Sequence, residues 1–142
     1  MGAATVLMAS GEDLPENVKA VIADCGYTSE WDEFQREADT LHIPWFPVLN
    51  ATSVLSKVRD GYDFKQASAL AQVKKSRIPT LFIHGSSDEL VPYSMLGELY
   101  AAAACEKEEL TVEGAGHALS SSVAPTLYWR TVEDFIAKYL DR

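Results

Sequence analysis

Two residues have the types and the spacing needed for proton transfer. Asp88 lies in the run His84-Gly85-Ser86-Ser87-Asp88-Glu89-Leu90-Val91-Pro92, and His117 closes Glu113-Gly114-Ala115-Gly116-His117. A carboxylate that meets an imidazole fixes the ring's tautomer and stabilises the imidazolium formed when the ring takes a proton from a nucleophile. Each run directly follows a short apolar segment and precedes a helical pattern, so both residues are expected in loops at the carboxyl ends of strands. In an open parallel sheet such loops share one edge, and neighbouring strands lie about 4.8 Å apart. The interval from Asp88 to His117 has room for one helix and one strand, which would deliver the acid and the ring to adjacent loops. Gly114 and Gly116 are expected to let the second loop turn sharply and approach other groups.

The elements that must carry these loops are legible as short apolar runs. Residues 19–24 (KAVIAD) and 78–84 (IPTLFIH) have the form of strands buried on both faces, and 110–113 (LTVE) that of a shorter, more polar outer strand. Helical patterns lie between and after them. Residues 93–104 are alanine-rich, and 125–140 place Tyr128, Val132, Phe135, Ile136 and Tyr139 on one stripe, with Pro125 suited to the first turn. Strands alternating with helices imply βαβ units, a parallel sheet and right-handed crossovers. The stretch 27–76 is too long for a simple crossover and rich in aromatics. It reads as an inserted helical layer with helices at 29–41, 47–58 and 63–75, broken at Pro44 and Pro47.

Composition narrows the class. With 142 residues the chain can bury one core, at a size where about 68–70% of the unfolded surface is removed from water. Apolar residues make up 47% and charged residues 23%, a globular balance. A net charge of -9 argues against nucleic acid as a partner, because phosphate binding relies on lysine and arginine. No stretch approaches the roughly 20 apolar residues of a membrane span. The chain as given reads as soluble, and localisation is open because any signal or anchor would lie before residue 1. Cys25 and Cys105 read as two buried small side chains with neither metal-ligand spacing nor a disulfide, and no metal or cofactor is implied.

Other polar residues carry weaker expectations. Asp24 ends the first strand and could compete with Asp88 as the acid, but its place before Cys25-Gly26 reads better as a turn. His84, ending a buried strand, reads as a structural hydrogen-bonder and His42 as a surface or packing residue. Ser120, Ser121 and Ser122 read as a loop and an N-cap for the last helix. Trp31, Trp45 and Phe46 are packing residues that could also line an apolar substrate pocket. Residues 1–9 form a helix of small and apolar residues with no strand before it, as expected just after a nucleophile elbow, where a strand turns through G-x-S-x-G into a helix.

These features together resemble the α/β-hydrolases, in particular bacterial members of the esterase and serine-aminopeptidase-like branch. Met1-Gly2 looks like the last two positions of G-x-S-M-G, HGSSDELVP matches the acid loop after the family's seventh strand, and GAGH matches its histidine loop. The order of acid and histidine agrees with the family. The resemblance implies an α/β fold corresponding to the C-terminal half of the hydrolase sheet, strands six to eight with flanking helices. Residues 1–26 and 77–142 would form the core and 27–76 a helical cap. It further implies a nucleophile before residue 1, which in this fold is serine, cysteine or aspartate with serine the commonest, Met1 as the oxyanion-hole N–H, Asp88 and His117 as the rest of a triad, and a small-molecule ester or amide substrate. Without the nucleophile the chain alone is expected to be inactive. Its exposed sheet edge is expected to pair with the missing N-terminal half or with a second copy of the chain. The alternative is a non-catalytic binding or assembly module that retains half of the fold.

Overall fold

The apolar segments pair edge to edge because each can bury side chains on both faces. The computed structural model, which describes residues 1–140, places β1 (Val21–Asp24), β2 (Thr80–Gly85) and β3 (Lys107–Val112) in one parallel sheet in the order β1-β2-β3. Ala23 lies opposite Phe82, and Ile83 opposite Leu110. All six residues of β2 are buried, as a central strand requires. β3 begins earlier than the sequence implies: its polar first half continues the ladder from Thr80↔Lys107. An edge strand accommodates this, and Lys107 Nζ donates to the carbonyls of Tyr100 and Ala103 at 2.6 and 2.8 Å.

Alternation along the strands divides the core. Val21, Ala23 and Phe82 pack with Leu7, Ala69, Val73, Leu96 and Leu99. These contributions come from α1 (Gly2–Ala9), α4 (Ala69–Val73) and α5 (Ser94–Ala102). Leu81, Ile83, Leu110 and Val112 pack with Val132, Phe135 and Tyr139 of α7 (Pro125–Leu140), so the stripe on the last helix forms as its periodicity implies.

Between β1 and α4 run α2 (Glu30–Thr40) and α3 (Trp45–Asp60). Ser29 caps α2 by accepting the Asp32 N–H. α3 starts before Pro47, bends at Phe46 (φ -98, ψ 128) and ends at Gly61 in the left-handed conformation (φ 72). The helix expected over 63–75 shrinks to α4. Asp63 Oδ1 accepts from Lys65 N and holds a turn there, and the chain becomes helical only after Ser68 accepts the Ala71 N–H. Since Ala69 and Val73 belong to the core, the 27–76 stretch returns to the sheet at its last helix. Ser120 to Ser122 also differ from expectation: with Val123 they form a separate short helix, α6 (Ser120–Val123), and the cap position before Pro125 falls on Ala124.

Candidate active site

The loops after β2 and β3 are joined by hydrogen bonds of Ser86, Ser87 and Gly114. Ser86 N donates to Val112 O at 3.0 Å, Ser87 N to Ala115 O at 3.0 Å, and Gly114 N to Ser86 Oγ at 2.8 Å. The approach is close enough to need glycine at Gly85, where an added Cβ would meet the Ala115 carbonyl oxygen, its carbon at 2.7 Å and its Cβ at 3.0 Å. Gly114 is left-handed (φ 72), which suits a residue without Cβ. Gly116 is not left-handed, and a Cβ there would make an ordinary contact with Leu119 at 3.5 Å. Only the first of the two glycines singled out for the turn is therefore required by backbone conformation.

This joint brings the acid and the ring together. Asp88 Oδ2 lies 2.8 Å from His117 Nδ1, while Oδ1 accepts from the N–H groups of Leu90 and Val91, both at 2.9 Å. The Asp88 side chain is fully buried and the His117 side chain 30% exposed. With Nδ1 donating to the carboxylate, Nε2 is left as the ring's proton acceptor. His84, buried in β2, directs Nε2 to the Val91 carbonyl at 3.0 Å and lies 3.3 Å from Asp88 Oδ2. It is a structural hydrogen-bonder whose structure includes the acid itself. Asp24 turns to other partners. Its Oδ1 accepts from Cys25 Sγ at 3.2 Å, and Tyr128 is pushed up to about 12 by burial with Asp24 beside it.

Burial alone would raise the Asp88 carboxyl. The Val91 N–H, the His117 ring and the Cys25 thiol outweigh it and hold the group below the ordinary carboxylate value. A carboxyl depressed in this way binds fewer protons folded than unfolded. Its stabilisation is complete above about pH 4 and is lost as the pH falls through the depressed folded value. Urea midpoints measured down the acid limb should therefore fall less steeply in Asp88→Asn than in the wild type. Equal slopes would show that the carboxylate is not what loses stability there.

A pocket of about 280 Å³ opens beside the ring, lined by Met1, Tyr27, Glu30, Glu33, Phe34, Glu37, Leu90, Val91 and His117. The α2 contributions recur at positions i, i+3, i+4 and i+7, one stripe of a helix. Arg36 holds that stripe over the acid loop by pairing with Glu33 at 2.6 Å and donating to the Leu90 carbonyl. Tyr62 donates to Glu30 from the other side. Of the residues expected in the site, Met1 is at the pocket and Trp31, Trp45 and Phe46 are not. Trp31 falls off the α2 stripe and carries Lys65 Nζ 4.4 Å above its ring. Trp45 helps line a separate apolar cavity with Phe34, Leu41 and Phe64. Phe46 is mostly exposed and meets Trp45 edge to face at 6.2 Å.

Residues at the site that the sequence did not single out include Cys25, Tyr27, Phe34, Leu90, Val91 and the three glutamates of α2. Leu90 and Val91 were signalled by their place just after the acid, and Cys25 by following β1 directly on the same edge. Cys105 is half-buried, with Sγ 3.6 Å from Thr80 Oγ1. His42 is exposed. Among the described residues, Cys25, Asp88 and His117 offer ligand atoms within 4.8 Å of one another. A metal ion seated there would have to displace the Asp88–His117 hydrogen bond.

The model of the prolyl oligopeptidase family matches residues 1–142, the whole chain. The chain belongs to the prolyl oligopeptidase family. A curated relative, the uncharacterized protein YqkD of Bacillus subtilis (strain 168), is 31% identical over 139 residues, spanning 96% of this chain and 45% of the relative. Among solved structures, an acylaminoacyl peptidase of Pyrococcus horikoshii superposes with a TM-score of 0.71 at 16% identity, covering 98% of this chain and 22% of that one. The esterase domain of a Rhodothermus marinus protein gives 0.68 at 18% identity, covering 98% and 58%. An esterase of Pyrococcus furiosus gives 0.68 at 17%, covering 97% and 51%. These likenesses show the α/β-hydrolase fold. This member of the prolyl oligopeptidase family spans less than half the length of its curated relative, and its sheet is part of the fold those structures contain. Among the described residues no helix is long and apolar enough to cross a membrane.

Proposed function

We propose that Asp88 and His117 are the acid and base of a serine hydrolase that cleaves ester or amide bonds, with the serine supplied by the residue preceding Met1 in the whole protein. The observation that carries this reading is the 2.8 Å contact from His117 Nδ1 to a buried, ionised Asp88. It leaves Nε2 unprotonated beside a pocket that also contains Met1. The serine Oγ attacks the carbonyl carbon while His117 Nε2 takes its proton. The backbone N–H of Met1, a peptide N–H in the whole protein, stabilises the oxyanion. His117 then gives the proton to the leaving alcohol or amine, and water releases the acyl group by the same steps in reverse order. Tyr27, Phe34, Leu90 and Val91 wall the substrate, and α2 and α3 act as a cap over it.

The reading is tested with the whole protein, this chain together with the segment that precedes it, assayed against a chromogenic short-chain ester and a serine-directed phosphonate probe. Turnover with stoichiometric labelling of the residue before Met1 is expected. No turnover and no labelling of a folded sample would overturn it.

The outer edge of β1 supports a partner on that side. The edge strand continues into a groove lined by Val18, Ala20, Ile22, Ile136, Tyr139 and Leu140, and an unpaired strand beside apolar surface favours association. The N-terminal half of the protein fills this place in the proposed enzyme. By itself the chain is expected to elute from size exclusion as a dimer or larger species at micromolar concentration. A sharp monomer peak would contradict the half-sheet account.

A further inference from the structure

We infer that Cys25 is a positioning residue for His117: its sulfur anchors the residue after the histidine and so holds the ring against Asp88. The inference rests on the hydrolase reading and adds to it a residue outside the acid, base and nucleophile.

Cys25 stands one residue past β1, on the edge where the acid and histidine loops open. Its own N–H is tied to Ile83 O at 2.9 Å, which fixes the residue to the central strand. The sulfur accepts the N–H of Ala118, 93 residues away, at 3.3 Å and donates to Asp24 Oδ1 at 3.2 Å. It lies within 4.8 Å of ligand atoms of both Asp88 and His117. Both ends of the N–H···S contact are non-glycine residues in the left-handed region, Cys25 at φ 58 and Ala118 at φ 57. For a residue with a Cβ that conformation is unfavourable, so it persists where surrounding contacts over-determine it.

A nucleophilic role is the competing explanation for a cysteine beside a histidine. Burial pushes the Cys25 thiol up to about 12, with the Ala118 N–H opposing and Asp24 adding to the rise. A reactive cysteine needs the thiolate, and this thiol stays neutral at physiological pH. As a neutral group it can accept from Ala118 and donate to carboxylate without adding a second negative charge beside Asp88. Asp88 is itself held low in part by this thiol. Cys25 ties the N–H of Ala118, the backbone group immediately after His117, to the end of β1, so removing the sulfur frees that N–H.

The test uses Cys25→Ala and Cys25→Gly in the whole protein. Glycine relieves the left-handed backbone, so Cys25→Gly keeps the fold even if Cys25→Ala loses stability. Both variants are expected to lower kcat for the short-chain ester by about ten- to a hundredfold with KM nearly unchanged. Both should also lose the single Nδ1-protonated His117 species from long-range ¹H–¹⁵N spectra, giving a mixture of tautomers. Wild-type kcat and a wild-type spectrum in Cys25→Gly would overturn the inference. A fall in kcat with an unaltered His117 spectrum would overturn it too, because the sulfur would then act elsewhere. Failure of the hydrolase reading is a different result: the wild type itself would show no turnover.

Discussion

Asp88→Asn and His117→Ala should each reduce ester turnover by the whole protein by about 10⁴-fold, the scale on which a general base contributes, with KM little changed. The two losses have different causes. In the proposed reaction, alanine at 117 removes the group that would take the serine proton. Asparagine at 88 keeps the shape and reverses the hydrogen bonding. Leu90 and Val91 both present N–H groups to Oδ1 at 2.9 Å, and these will be satisfied by the amide oxygen. The amide NH₂ then faces His117 and requires Nδ1 to accept. That places the ring's proton on Nε2, where it can no longer take one from the nucleophile. Steady-state kinetics with urea midpoints on the same samples separate this from unfolding. Variants that are folded and retain wild-type kcat would remove both residues from the reaction.

Gly85→Ala is expected to destabilise the protein by about 3 kcal/mol, at the upper end for forced overpacking, and to abolish turnover. The added methyl would meet the Ala115 carbonyl, backbone rather than a flexible side-chain tip, so one loop must move. The same carbonyl accepts the Ser87 N–H, and Ser87 and Ala115 lie one and two residues from Asp88 and His117. Relief of the clash therefore pulls the acid and the ring apart. Denaturant unfolding and ester assays should show both losses together. Gly116→Ala, where the contact is ordinary, serves as the control and should be nearly neutral in stability. A Gly85→Ala protein with normal stability would mean that the loops do not approach as described.

The sequence disclosed the parts of this structure governed by strong local patterns. β1 and β2 were legible because doubly buried strands read as unbroken apolar runs, and α7 because its stripe repeats at helical spacing. Asp88 and His117 were legible because each follows a strand, so the sheet's edge determines where they meet. Elements decided by side-chain competition were harder to read. Asp63 turns the chain where periodicity favours a helix, and α4 starts only at its Ser68 cap. The polar half of β3 reads as a loop until its pairing with β2 is known.

The lining of the pocket beside His117 was harder to read for a related reason. Trp31, Trp45 and Phe46, packing residues that could also line a pocket, lie elsewhere, and the face that α2 turns to the acid loop is held by Arg36 donating to the Leu90 carbonyl, a contact between residues distant in sequence. The sequence places Cys25 at the right edge, but its contact with Ala118 depends on a left-handed backbone at both residues, which composition and spacing do not reveal.

The most direct measurement of the central claim is the protonation pattern of the His117 ring in mildly alkaline solution, read from the long-range ¹H–¹⁵N correlations of the whole protein. A hydrogen bond from Nδ1 to an ionised Asp88 requires the proton on Nδ1 and a bare, accepting Nε2. A ring found with its proton on Nε2 would mean that His117 cannot serve as the base, and that the acid beside it has another purpose.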